Sequence, residues 1–300
     1  MENILGKEQI KSWFEGLQDR ICAAIEVTDG KAKFQQDVWQ HHDEGGGRTR
    51  LIQNGNILAK AGVNFSAVGG KTPDKILEAL KLENANFFAT GVSIVMHPIN
   101  PFVPIIHMNV RYFEMTNGVY WFGGGIDLTP HYVNEADAQF FHQTLKNACD
   151  KHDLNYYPKF KTWADDYFFI KHRNETRGIG GIFFDHLKED ESHSKADIWA
   201  FVQEIGDTFI KIYPYLMTKN ASHHYDGAHL KWQNMRRGRY VEFNLVYDKG
   251  TKFGLDTNGR TESILMSMPP LAAWEYDFVP EIDSPESKTL DLLKKGVDWA

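Results

Sequence analysis

The chain has 300 residues, of which 42% are apolar and 13% aromatic, so it can bury one sizeable core or at most two. Its net charge of −7 argues against a nucleic-acid partner, and no apolar run approaches the roughly 20 residues that span a bilayer. The N-terminus lacks the apolar segment of a signal peptide, and Cys22 and Cys149 lie far apart, so we expect a cytoplasmic protein without disulfides or membrane insertion.

Helical and strand patterns alternate along the chain. The first part is predicted to contain a helix (7–28), a polar glycine loop (41–50), two strands joined at Asn54-Gly55 (50–53 and 57–66), a short helix (72–82) and a strand (90–97). Beyond residue 130 we predict helices at 134–149, 158–172 and 195–217, a strand near 180–185, a basic turn at 233–239, a strand at 240–248, a helix capped by Thr261 or Ser263, and a terminal helix at 287–295. Because the clear strand links are hairpins, we predict a single α/β domain of the α+β type over residues 1–300, with mostly antiparallel strands.

Residues 107–129 are predicted to form a hairpin that turns at Thr116-Asn117-Gly118. Side chains alternate along a strand, so His107, Asn109 and Arg111 share one face and Met108 and its even-numbered neighbours share the other. A two-residue loop would pair Met108 with Asp127, whereas a three-residue loop with a left-handed Gly118 pairs His107 with Asp127. We predict the three-residue loop, which puts both groups on one face.

The same register places Gly123 and Gly125 opposite Arg111 and Asn109. Glycines inside a strand often mark the close approach of a ligand, so we predict a shallow floor that binds something flat. The alternative is a bulge that only curves the sheet.

Arginine occurs mostly in glycine-rich or aromatic segments of this acidic chain, although lysine is the commoner cation. The guanidinium binds carboxylates and phosphates through two parallel hydrogen bonds, so this placement favours an anionic small molecule over ordinary ion pairing. The arginines concerned are Arg48, Arg50, Arg111, Arg173, Arg177, Arg236, Arg237, Arg239 and Arg260.

Acid–base chemistry is indicated at the paired His107 and Asp127, because a buried carboxylate can hold an imidazole in one tautomer. The alternative for Asp127 is a turn-capping role before Leu128-Thr129-Pro130. His97, His107, His142 and His172 are all predicted to lie near this site, but their spacing has no recognisable metal-binding motif. Structural or catalytic histidines and a divalent-metal site are both left open.

Six ordered segments carry a family resemblance: Ala61-Gly62-Val63-Asn64-Phe65-Ser66, His107-x-Asn109-x-Arg111-Tyr112-Phe113-Glu114, Trp121-Phe122-Gly123-Gly124-Gly125-x-Asp127-Leu128-Thr129-Pro130, Lys171-His172-Arg173-x-Glu175-x-Arg177-Gly178-Ile179-Gly180-Gly181, Arg236-Arg237-Gly238-Arg239-Tyr240-Val241-Glu242-Phe243-Asn244 and Gly259-Arg260-Thr261-Glu262-Ser263-Ile264-Leu265-Met266-Ser267. Together they resemble the oxygen-dependent coproporphyrinogen III oxidases of the bacterial type. The resemblance extends over roughly residues 10–295 in one colinear series.

The resemblance implies that two propionates of coproporphyrinogen III are oxidatively decarboxylated to vinyl groups, giving protoporphyrinogen IX in haem biosynthesis. It implies O2 as the acceptor, release of CO2 and H2O2, and no organic cofactor. It further implies a cytoplasmic homodimer with a dimer contact at about residues 240–275. The expected fold is a large, flat, mostly antiparallel sheet covered by helices on both faces.

The resemblance also assigns roles to individual residues. His107 falls at a proton donor and Asp127 at a substrate-orienting carboxylate, and we count Arg111 as a third catalytic residue. The positions that match substrate contacts are Ser93, Asn109, Val110, Arg111, Asn258, Gly259 and Arg260. Asn258 departs from the commoner Gly-Gly-Arg pattern. The positions that match a divalent metal are His97, His107, His142 and His172.

These expectations combine into one hypothesis, in which arginines hold the propionates and Asp127 accepts hydrogen bonds from several pyrrole N–H groups. Two rivals are a metal-dependent oxygenase on the same fold and a non-enzymatic tetrapyrrole carrier. The carrier needs the arginines and aromatic residues, but it does not require His107 and Asp127 to titrate.

Overall fold

Seven antiparallel strands form one sheet, in which the six strands between residues 35 and 129 lie side by side in chain order and the strand at 181–187 pairs with the last of them. A computed structural model describes residues 5–72, 77, 85–256 and 259–300. The strands are β1 (Gln35–Gln40), β2 (Glu44–Gln53), β3 (Leu58–Lys71), β4 (Asn86–Pro98), β5 (Ile105–Met115), β6 (Tyr120–Thr129), the separate pair β7 (Phe169–Ile170) and β8 (Glu175–Thr176), and β9 (Gly181–Leu187). All pairings in the large sheet are antiparallel, as the hairpin signals predicted.

Eight helices surround the sheet within the described part of the chain. They are α1 (Lys7–Asp29), α2 (Glu135–Asp150), α3 (Tyr156–Tyr167), α4 (Lys195–Asn220), α5 (Gly227–Val246), α6 (Lys249–Asp256), α7 (Thr261–Leu265) and α8 (Pro285–Leu292). Asn134 caps α2 as predicted, since its side chain accepts a hydrogen bond from the backbone amide of Asp137. The other predicted cap is wrong, because Arg260 rather than Thr261 or Ser263 precedes α7.

One face of the sheet is apolar and lies in the main core. The even-numbered side chains of β4 and β5, such as Ile94, Met108 and Val110, are fully buried there. Helices α1 and α4 pack on this face, and α1 buries residues at helical spacing: Ile10, Phe14, Leu17, Ile21 and Ile25. Each fully buried apolar side chain of this size contributes about 1.5–3 kcal/mol of transfer free energy.

The opposite face is partly covered by α5 and α7. Tyr240 of α5 packs on Val95 and Ile105, and Met266, directly after α7, lies over Gly62 of β3. Helices therefore cover both faces, and the predicted fold class is confirmed. The part of this face left between α5 and α7 contains the odd-numbered polar side chains of β4 and β5.

Helix α5 differs most from the sequence prediction, because it includes residues that were predicted as a turn (233–239) and a strand (240–248). Asp226 caps this helix by accepting from the backbone amides of Ala228 and His229. The buried positions recur at helical spacing, but Arg236 and Arg237 are among them. Because arginine is counted as a polar residue, the helical spacing of the buried positions could not be recognised from the sequence.

Three smaller predictions also differ from the structure. The glycine loop at 41–50 is mostly strand, since β2 begins at Glu44. The helix predicted at 158–172 ends at Tyr167 and is followed by β7. The helix predicted at 72–82 lies largely outside the described residues.

Membrane insertion was not expected from the sequence. Of the helices that the structure describes, none combines the length and the apolar character needed to cross a bilayer.

Candidate active site

The hairpin of β5 and β6 has the register that was predicted for a three-residue loop. Met115 donates its backbone N–H to the carbonyl of Val119 at 2.8 Å, and Gly118 takes a φ of 89° between them. His107 consequently pairs with Asp127, Asn109 with Gly125 and Arg111 with Gly123. Asp127 thus lies on the polar face with His107.

The Asp127 carboxylate is almost completely buried and uses both of its oxygens. Its Oδ1 accepts a 2.7 Å hydrogen bond from His107 Nδ1, and its Oδ2 accepts a 2.5 Å hydrogen bond from Arg177 Nη2. Burial alone would raise the pKa of Asp127, but Arg177 and His107 more than offset burial and hold the pKa below its usual value. Asp127 is therefore a buried anion at neutral pH.

Arg177 is a site residue that was predicted only as one of the nine arginines that favour an anionic ligand, and not as a partner of Asp127. Its guanidinium is buried between the rings of Phe168, Tyr240 and Phe243, at 4.3 to 4.7 Å from their centroids. Its Nη1 donates to Asn244 Oδ1 at 2.7 Å. The available signal was an arginine in a glycine-rich segment, but its partner Asp127 lies fifty residues away in the sequence.

His107 presents one ring nitrogen to the open part of the site. Because its Nδ1–H donates to Asp127, the lone pair of the neutral ring lies on Nε2. The side chain is 25% exposed, and Nε2 has no hydrogen-bond partner among the described residues. This nitrogen can accept a proton from a bound molecule or, once charged, return one.

Arg111 lies across the sheet, and Gly123 makes room for it. Its guanidinium donates to Asn109 Oδ1 at 3.0 Å and pairs with Asp185 Oδ1 of β9 at 3.0 Å. A Cβ on Gly123 would come within 2.8 Å of Arg111 Nε and 2.6 Å of Asp185 Oδ1. Arg111 is still 38% exposed, so part of its guanidinium remains accessible to a carboxylate.

The predicted glycine floor is therefore not open. Arg111 and Asp185 lie over Gly123, while a Cβ on Gly125 would be 3.3 Å from the ring of Phe183. The pairing of β6 with β9 also shifts register between Phe122 and Gly124, which is the bulge that was the alternative interpretation. The glycines admit neighbouring protein groups rather than a ligand.

A row of polar side chains crosses the sheet beside this site. Ser93 of β4 pairs with Asn109, and the row continues through Asn64 and Thr49 to Asp37 of β1. Arg260 pairs with Asp37 at the far end of this row and also donates to Ser263 Oγ at 3.1 Å. With strands about 4.8 Å apart, β1 and β5 are separated by roughly 19 Å.

Two predicted substrate contacts add no described side chain to the polar face. Val110 points to the apolar face and is fully buried, because it is the even-numbered neighbour of Asn109 and Arg111. Only the backbone of Val110 could contact a molecule bound on the polar face. Asn258 lies outside the described residues, whereas Gly259 follows directly and donates its N–H to the carbonyl of Gly254.

The four histidines matched to a metal do not form one ligand set. His142 is fully buried in the main core on the opposite side of the sheet, and both its nitrogens are used: Nε2 donates to the carbonyl of Ile179 and Nδ1 accepts from Tyr157 Oη. His97 Nε2 donates to the carbonyl of Ser267 at 2.8 Å. Burial lowers the pKa of His97 to about 3 and that of His142 to about 4.

His172 is bonded elsewhere, because Nε2 donates to Glu242 and Nδ1 accepts from Tyr247 Oη. Within residues 5–72, 77, 85–256 and 259–300, the group of three ligand atoms within 4.8 Å of one another lies at His41, His42 and Asp43 instead. The prediction of a metal held by His97, His107, His142 and His172 does not fit this arrangement.

Glu242 joins α5 to two surface segments near the site. Its carboxylate accepts two hydrogen bonds from Arg173, at 2.9 and 2.7 Å, and one each from His172, Arg239 and the indole of Trp274. Burial opposes ionisation, but these donors prevail and lower the pKa of Glu242 to about 2. This junction was not predicted, since its partners are dispersed in the sequence.

The comparison with known families agrees with the residues of the site. A family model described as coproporphyrinogen III oxidase matches residues 9–299. That match includes the His107–Asp127 hairpin, Arg177 and α5 in a single series. The chain belongs to the coproporphyrinogen III oxidase family and is an oxidoreductase of haem biosynthesis that oxidatively decarboxylates coproporphyrinogen III.

Proposed function

We propose that the chain converts two propionates of coproporphyrinogen III to vinyl groups with O2 as the acceptor and without an organic cofactor. Each propionate side chain and one O2 give one vinyl group, one CO2 and one H2O2, so atoms and electrons balance without another reductant. The observation that carries the proposal is His107 Nε2, an accessible nitrogen fixed by the buried Asp127–Arg177 pair.

His107 is the proton carrier in this proposal. A pyrrole N–H of the substrate gives its proton to Nε2, which makes the ring electron-rich enough for O2 to attack. The peroxide leaves with one hydrogen of the ring-attached CH2 group and the proton of the carboxylic acid. CO2 departs as the vinyl double bond forms, and the His107 imidazolium returns its proton to the pyrrole nitrogen. The adjacent Asp127 carboxylate stabilises that imidazolium.

Asp127 positions His107 and does not itself bind the pyrrole N–H groups. Its side chain is only 2% exposed, and both oxygens already accept from His107 and Arg177. We therefore replace the hypothesis that Asp127 contacts the pyrrole N–H groups with one in which it acts through His107. In that role Asp127 keeps Nδ1 protonated and Nε2 directed at the substrate.

Arg111 and Arg260 hold propionates at two places on the polar face. Both are partly exposed, and the row from Asn109 through Ser93 to Asp37 separates them by a distance on the order of 19 Å. The substrate carries four carboxylates around its rim, so widely separated cations suit it better than one cluster. Such positioning lowers the entropic part of the barrier.

Incubation with the reduced porphyrinogen tests this proposal and its rivals. We expect vinyl products by chromatography in air, with consumption of O2, and none under argon. A carrier would bind the porphyrinogen without forming vinyl groups in either atmosphere. Equal vinyl formation under argon would contradict O2 as the acceptor.

We further propose a single-domain, cytoplasmic homodimer with the dimer contact in residues 240–275. The main core includes residues from Ile10 to Trp299, which supports one domain, and both cysteines are free. Large apolar side chains are exposed along the proposed contact: Leu245, Val246, Leu255, Leu271 and Trp274. Sedimentation should show a dimer that Leu245→Glu with Val246→Glu dissociates.

A further inference from the structure

The turn between β1 and β2 places three metal-ligating side chains at one point of the surface. Nitrogen atoms of His41 and His42 and a carboxylate oxygen of Asp43 all lie within 4.8 Å of one another. The two imidazole rings are 4.1 Å apart between centroids, and His42 Nε2 is 3.5 Å from Asp43 Oδ2. His42 and Asp43 are exposed, so an ion can reach them from solvent.

The backbone of this turn holds the three side chains close together. His41 donates its N–H to the carbonyl of Gly45 at 2.9 Å, and Gly45 has a φ of 84°, which closes a short hairpin loop. Asp43 lies over Gly70 of β3, where a Cβ would come within 2.7 Å of Oδ2. The ligand atoms are thus brought together by the fold before an ion binds.

We propose that His41, His42 and Asp43 bind one divalent transition-metal ion, of which Zn2+ is the representative. Two imidazoles and one carboxylate suit Zn2+ and its neighbours, whereas Mg2+ and Ca2+ prefer oxygen ligands alone. Three protein ligands leave a position for water, so the ion should exchange with solvent.

This site is separate from the active site. Gln35 of β1 lies in the same cross-strand row as His107, and His41 is six residues further along. That places His41 roughly 20 Å along the strands and about 19 Å across them from His107. The ion cannot contact the reacting atoms, and its role is to tie the end of β1, which is an edge strand, to β2.

Calorimetric titration of chelator-treated protein with ZnCl2 tests the proposal directly. We expect one bound Zn2+ per chain in the wild type. Replacing a residue that only hydrogen-bonds to a metal ligand lowers metal affinity about 10–100-fold. The double substitution His41→Ala with His42→Ala removes two direct ligands, so it should weaken Zn2+ binding at least that much. The matched control is His223→Ala with His224→Ala, the other adjacent histidine pair, which should leave the titration unchanged.

A second readout shows where the ion acts. Zn2+ should slow hydrogen exchange of the amides in residues 35–53 of the wild type and have no such effect on the His41→Ala/His42→Ala variant. Vinyl-forming activity should be the same in both proteins. The proposal is overturned by absence of Zn2+ binding to the wild type, by unchanged binding in the His41→Ala/His42→Ala variant, or by loss of binding in the control.

Discussion

Replacement of Asp127 by Asn should lower turnover greatly while the protein still folds. Asn has the same shape but removes the charge between His107 and Arg177, two partners at 2.7 and 2.5 Å. Its amide can also donate to Nδ1 and favour the tautomer with the proton on Nε2. Loss of the correct tautomer and of general-base assistance should lower turnover by about 10²–10⁴-fold.

The stability cost follows from Arg177, which would keep its charge with only Asn244 and three aromatic rings as neighbours. Removing one partner of a buried ion pair costs about 3–5 kcal/mol. We expect the lower end, because the amide that replaces the Asp127 carboxylate would keep one oxygen as an acceptor. The variant should therefore fold, with an unfolding free energy about 3 kcal/mol below the wild type.

The double variant Asp127→Asn/Arg177→Met is the control for misfolding. It removes both charges, so its loss of unfolding free energy should be smaller than the sum of the single losses, by about 2–3 kcal/mol. Its turnover should stay as low as that of Asp127→Asn. The assays are urea unfolding and vinyl formation at saturating substrate. Turnover of Asp127→Asn within about threefold of the wild type would refute the positioning role.

Three further predictions concern Arg111, Glu242 and metal removal. Arg111→Lys removes the guanidinium that contacts both Asn109 and Asp185 and, in the proposal, a propionate. The KM in steady-state assays should therefore rise about tenfold with little change in fold. An unchanged KM would argue against a propionate contact. Glu242→Gln should lower the unfolding free energy at pH 7 by about 1.5–3 kcal/mol. Because the pKa of Glu242 is lowered to about 2, this difference should be full above the ordinary value of 4.5 and disappear as pH falls towards 2; a constant difference would contradict the assignment. Protein shown to be metal-free by elemental analysis should retain full vinyl-forming activity, and an inactive apoprotein would restore the metal-dependent alternative.

The local features of the site were predictable from sequence. The turn at Gly118 sets the loop length, and the alternation of a strand then decides that His107, Asn109, Arg111 and Asp127 share one face. Strand periodicity also separated the polar and apolar faces of β4 and β5. These inferences need only near neighbours in the chain.

The rest depends on contacts that are remote in sequence. Arg177 completes the site from a segment fifty residues beyond Asp127, and α5 buries Arg236 and Arg237 where a pattern of apolar residues would be expected. The open glycine floor was wrong because Asp185 and Phe183 of β9, a strand remote in sequence, lie over Gly123 and Gly125. The spacing of polar and apolar residues along the chain cannot predict contacts between segments that are remote in sequence.

His107 is the residue on which the proposed chemistry depends, and a His107→Ala variant tests it most directly. The rate of vinyl formation should be measured in a single turnover, in air, with and without added imidazole. We predict a loss of about 10²–10⁴-fold that free imidazole partly restores, because general acid–base catalysis contributes that much and a free base can replace the missing ring. A rate within about threefold of the wild type in the absence of imidazole would contradict the account.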